Sequence, residues 1–155
     1  MDNAIIEVSK WQNDKELSKL RYNPVNEAAF NIEEMLEIIG YKGDCKDKSN
    51  EIAHLYQNID QSTKFSNEEL AEFIDGHVDS IIFNIGALCK ILYNMGIVKA
   101  EEQGEHINRL INIVNNYNYQ KKSGSVNKDT GKLLKQFDYI PPSEEITNYI
   151  NNIKK

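Results

Sequence analysis

Between Ser66 and Gly96 the chain carries one helical pattern long enough to dictate what surrounds it. Ser66-Asn67-Glu68-Glu69 has the form of a capping box, a serine followed three residues later by a glutamate that reaches back to it. The pattern then runs to Asn94 or Met95 and stops at Gly96. Its main apolar stripe is Leu70, Ile74, Val78, Ile81, Ile85, Leu88 and Leu92, while Phe73, Ile82, Phe83, Ala87 and Ile91 occupy other sides. A helix that is apolar nearly all round belongs in a core. The expected fold is therefore all-α, with this helix buried at its centre.

The remaining periodicity and breakers supply its neighbours. A first helix is expected over roughly 3–20, with Ile5, Ile6, Val8 and Trp11 as its apolar side. Asn23-Pro24 opens a second, because asparagine can cap and proline fits the first helical position. Gly40 is its expected stop. The run 41–48 reads as a polar connector, followed by a short helix from Ser49 to about Asn58. Another helix is expected from Ala100 to Tyr119, and a last one from Ser143 to about Ile153. The stretch after Lys121 reads as loop and extended chain. No alternating strand pattern, internal repeat or low-complexity run appears, so 1–155 is read as a single domain with its core over about 20–119 and a tail over about 120–145.

Composition narrows the function classes. With 24 acidic against 18 basic residues the net charge is −6, which argues against a general nucleic-acid binder and against an anionic membrane surface as partner. No apolar run approaches the roughly 18 residues that a membrane helix needs. Two cysteines, Cys45 and Cys89, are too few for a disulfide framework and lack metal-ligand spacing. With no positive start leading into an apolar segment, the default expectation is a cytoplasmic protein with reduced thiols.

Carboxylates carry the most pointed pattern. Glu33, Glu34 and Glu37 lie on the second helix; Glu72, Asp75 and Asp79 lie on the long one. Side chains three and four apart share a helix face, so Glu34 pairs with Glu37, and Glu72, Asp75 and Asp79 form a row. The bland interpretation is a solvated acidic face. Against it stands the apolar character of the long helix, whose acids, flanked by Ile82 and Phe83, would open into a cleft. Like charges about 4–5 Å apart repel by roughly 3–4 kcal/mol at an effective dielectric near 20, and no Lys or Arg lies within either acidic motif. A hard divalent cation with oxygen ligands resolves this, and Mg²⁺ suits carboxylates that share it with phosphates.

The pattern Glu33-Glu34-x-x-Glu37 followed by Glu72-x-x-Asp75 resembles the all-α nucleoside triphosphate pyrophosphohydrolases, the group of MazG, the dimeric dUTPases and phosphoribosyl-ATP pyrophosphohydrolase. Asn118-Tyr119-Gln120-Lys121, then Gly131-Lys132-Leu133-Leu134-Lys135 with Tyr139 and Pro141-Pro142 beyond, resembles the tail of phage-type members. The likeness spans about 20–145. It implies a four- to five-helix bundle of the MazG-like type with an extended C-terminal tail, assembled as a homodimer or a tetramer. It further implies Mg²⁺, or Mn²⁺, on Glu34, Glu37, Glu72 and Asp75, with Asp79 a further ligand or a supporting group. Asn118, Lys121, Lys132, Lys135 and Tyr139 would meet the phosphates of a nucleoside triphosphate. One departure is the 34 residues between Glu37 and Glu72, more than the shortest relatives carry.

The implied reaction is attack of water on the α-phosphorus, releasing pyrophosphate. The candidate general base is Glu33, beside the ligands, with Glu34 next. The alternative is a non-catalytic helical nucleotide-binding or protein-interaction module. Glu51-x-x-His54 is half of a di-iron bundle motif, but no second Glu-x-x-His accompanies it. His77 reads as a packing or surface residue.

Overall fold

The computed structural model describes residues 3–55, 63–121, 133 and 139–153. Among them lie six α-helices and one 3-10 turn, and no strand. The helices are α1 (Ala4–Asp14), α2 (Pro24–Ile38), α3 (Cys45–Ala53), α4 (Asn67–Asn94), α5 (Ala100–Tyr119) and α6 (Ser143–Ile153). The all-α expectation holds. None of the helices described is long and apolar enough to cross a membrane.

Local chemistry explains the boundaries. Asn23 accepts from the backbone N–H groups of Val25 and Asn26 at 3.0 and 3.3 Å, with Pro24 in the first turn. At the other end of α2 the Tyr41 N–H donates to the Leu36 carbonyl, across Gly40 at φ 69°, a left-handed turn that glycine adopts without a Cβ penalty. Both halves of the capping box at Ser66 are made: the Ser66 N–H donates to Glu69 Oε2 at 2.7 Å, and the Glu69 N–H donates to Ser66 Oγ at 3.2 Å.

Three boundaries differ from expectation, one of them the end of α3, which stops at Ala53 rather than near Asn58. The first helix ends at Asp14, not near 20; Glu16 takes φ 59° and a 3-10 turn follows over Leu17–Lys19. The run Gln12 to Glu16 has no apolar residue to hold a helix face, and the Asn13 side chain instead accepts from the Ser18 hydroxyl at 2.5 Å. The short third helix starts four residues before Ser49, because Asp44 Oδ1 accepts from the Asp47 N–H at 2.8 Å and caps it. Residues 45–48 are therefore helical rather than connector.

The chain divides into two compact units, Leu20–Asp75 and Met1–Lys19 with Gly76–Lys155. In the first, α3 packs against α2. An aromatic trio joins Tyr22, two residues before α2, to the start of α4: Tyr22 lies 6.3 Å from Phe65 and 5.7 Å from Phe73, and Phe65 meets Phe73 edge-on at 5.3 Å. In the second unit α1 runs parallel to α5. The Ala4 N–H donates to Asn108 Oδ1 at 2.8 Å, and the Tyr119 hydroxyl donates to Asp14 Oδ2 at 3.4 Å. Its core is Leu92, Ile97 and Ile107, with Leu88, Cys89, Ile111 and Ile153 against it. There α6 meets α5 through a 2.5 Å hydrogen bond between His106 Nδ1 and the Tyr149 hydroxyl, with the Arg109 guanidinium 5.8 Å from the same ring.

The expectation that the long helix is enclosed on all sides is not met. Leu92 alone among the residues of α4 is buried; Ile74, Ile81, Ile82 and Phe83 are all more than half exposed. Among the described residues, full burial on α4 is reached only in its last turn.

Two stability measurements follow. Leu92 is 2% exposed at the centre of its cluster, so Leu92→Ala should cost about 2–5 kcal/mol in denaturant unfolding. Among the described residues Trp11 Nε1 and Asn115 Oδ1 are buried without a hydrogen-bond partner, and an unpaired buried polar group costs about 1–3 kcal/mol. Asn115→Leu should therefore leave the melting temperature unchanged or raise it; a fall of several degrees would show that the amide is satisfied in solution.

Candidate functional site

The predicted site residues fall into three groups. Glu33, Glu34 and Glu37 occupy the last turns of α2; Glu33 is half-buried and the other two are exposed. The start of α3 lies against them. Partial burial pushes the Cys45 thiol above its ordinary range, and the carboxylates of Glu37, Asp44 and Glu33 push it the same way. Cys45 is thus a neighbour of the acidic motif, which sequence spacing did not show. Its position at the start of α3 followed only from recognising Asp44 as a cap.

Glu72 and Asp75 are exposed on the first turns of α4, on either side of Phe73 in the aromatic trio. Asp79 is exposed one turn further on. The trio ties this end of α4 to the N-terminal flank of α2. At 1.5 Å per residue, Glu34 lies about 15 Å along α2 from Pro24. Phe73, between Glu72 and Asp75 in the chain, thus stands beside Tyr22 at the N-terminal flank of α2. Among the described residues no three His, Cys, Asp or Glu side chains gather closely enough to hold a metal ion. The donor set is still entirely carboxylate oxygen, the chemistry that suits Mg²⁺ or Mn²⁺.

The third group does converge. Lys121 Nζ donates to Asn118 Oδ1 at 2.8 Å and lies 5.3 Å from the centroid of the Tyr139 ring. Asn118 closes the last turn of α5, Lys121 follows it, and Tyr139 returns to the same place from 18 residues downstream. An ammonium over an aromatic face is held by the ring quadrupole. Burial raises the Tyr139 hydroxyl above the usual tyrosine range, so the phenol stays neutral beside the lysine. A fixed lysine with a neutral hydroxyl beside it can meet a phosphate oxygen as a point charge. Lys132 and Lys135 lie outside the described residues.

No family model, curated protein or solved structure matches the chain.

The surroundings of Cys45 give a pH-dependent outcome. A thiol reacts as its thiolate, and the shift at Cys45 favours the neutral form. Iodoacetamide at pH 8 should modify Cys45 more slowly in the folded protein than in denaturant, the difference closing as pH rises. Glu37→Gln should speed the folded-state reaction. An unchanged rate in Glu37→Gln would separate this carboxylate from the thiol.

Proposed function

We propose that the chain is a nucleoside triphosphate pyrophosphohydrolase, hydrolysing a ribo- or deoxyribonucleoside triphosphate to the monophosphate and pyrophosphate, and that it works as a homodimer in the cytoplasm. The observation that carries this reading is the meeting of Asn118, Lys121 and Tyr139, because these three come from the tail segments that resemble the phosphate-binding residues of the MazG-like enzymes. In this reading Glu34, Glu37, Glu72 and Asp75 would hold Mg²⁺, with Asp79 beside them. When bound, the ion neutralises phosphate charge and lowers the pKa of the attacking water.

The chain's own groups do the rest. Lys121 grips the β- and γ-phosphate oxygens, oriented from one side by Asn118 Oδ1 and from the other by the Tyr139 ring. Holding those phosphates makes pyrophosphate the leaving group and exposes the α-phosphorus to water. Lys132 and Lys135 add charge to the same grip. Glu33, half-buried and next to the ligand pair, takes the proton from the attacking water, with Glu34 as the second candidate.

The second reading is a non-catalytic helical nucleotide-binding or protein-interaction module. One assay distinguishes them. Incubation with the four deoxynucleoside triphosphates and Mg²⁺ should release pyrophosphate; no release supports the module, and orthophosphate alone indicates a phosphatase. Lys121→Ala should raise KM about tenfold with a smaller change in kcat, the signature of a binding group. Asp75→Ala should abolish release without lowering the melting temperature, since it removes an exposed like charge. An active Asp75→Ala protein would remove that residue from the site.

A further inference from the structure

Along α4 the residues Ile74, Val78, Ile81, Ile85, Leu88 and Leu92 recur at alternating spacings of four and three. That is the a/d repeat of a seam that packs against another helix, knobs into holes. The last two members are covered within the chain: Leu92 is buried, and Leu88 packs beside it against Ile97 and Ile107 of the core. The first four are exposed, Ile74 by 64% and Ile81 by 58%. One continuous seam is thus packed at one end and bare at the other.

We infer that the bare part of this seam is where two copies of the chain meet, α4 against α4 in antiparallel order. Three observations select a second copy. The first is shape, since a heptad seam fits a helix with a matching seam, and α4 itself offers one uncovered. The second is area. Leu70, Ile74, Val78, Ile81, Ile82 and Ile85 together expose on the order of 500 Å² of apolar surface. A stable interface takes about 800 Å² from each partner, roughly 65% of it apolar in homodimers, so the seam supplies the apolar share.

The third is charge. Positions flanking the seam are Asp75, His77, Ile82, Asn84, Cys89 and Ile91, so no row of paired charges fences it and Ile82 and Ile91 widen the apolar strip. All five carboxylates of α4, from Glu68 to Asp79, lie in its first half, and its one lysine, Lys90, lies in the second. Parallel pairing would set five carboxylates beside five. Antiparallel pairing sets each acidic half beside the other copy's neutral half. The paired assembly proposed above is thereby located on α4, and its test needs no hydrolysis, so a failed hydrolysis assay leaves the seam standing.

Sedimentation or light scattering of the full chain should give the mass of two 17.9 kDa chains at micromolar concentration. Ile81→Glu with Ile85→Glu should return it to one chain with its helical circular dichroism kept, while Ile81→Leu with Ile85→Leu should stay paired. A single-chain mass for the unaltered protein up to 100 micromolar (about tenfold above a typical transient Kd), or a glutamate variant that stays paired, would overturn the proposal. Orientation is read separately from spin labels at Glu68→Cys, with Cys45 and Cys89 replaced by serine. Antiparallel helices should separate the two labels by roughly 35 Å at 1.5 Å per residue. A separation under about 20 Å would overturn the antiparallel order.

Discussion

Covering the apolar circumference of α4 is the constraint to which the rest of the chain answers. A helix of 28 residues extends about 42 Å, and its apolar side chains follow it for most of that length. Its C-terminal turns are covered where Leu92 and Leu88 meet Ile97, and Ile107 of α5. α1 is packed on α5, held in parallel register by the Ala4–Asn108 and Tyr119–Asp14 hydrogen bonds. The hydrophobic effect acts on all exposed apolar area alike, so the uncovered turns retain a driving force that a further helix can satisfy.

The same helix shapes the electrostatics. Its acids, Asp75 at the edge of the stripe and the others away from it, are exposed, where water screens them. Drawing Glu72 and Asp75 together with Glu34 and Glu37 would bring four negative charges into mutual range, and each close pair would cost a few kcal/mol at protein-surface dielectrics. Such a gathering requires a compensating cation. The aromatic trio of Tyr22, Phe65 and Phe73 brings the N-terminal flank of α2 to the start of α4, where Glu72 and Asp75 lie. Three rings with edge-to-face contacts make a stiff joint, and the acidic motifs inherit its geometry.

At the far end of α5 the balance is reversed. A lysine is expensive to immobilise, since its four-carbon stem has much rotational freedom to lose. Here Asn118 and Tyr139 share that cost from two directions. The result is a placed positive charge in a protein whose net charge is negative.

Read alone, the amino-acid order determined the helical class, the long helix from its capping box to Gly96, the span of α5 and α6, and the cap at Asn23. All of these rest on interactions within a few residues, which is why they are legible locally. It also singled out Asn118, Lys121 and Tyr139. It missed the early start of α3, because the Asp44 cap was hidden in a polar run, and the break after Asp14, where a side-chain hydrogen bond competes with the backbone. Only the tertiary structure decided which residues of the α4 stripe are buried, that Cys45 stands beside Glu33 and Glu37, and that Phe73 meets Tyr22. Periodicity states which residues share a face, but not what lies opposite that face. The partner is chosen by contacts such as Tyr22 with Phe73, made between residues 51 positions apart, and no local pattern encodes them.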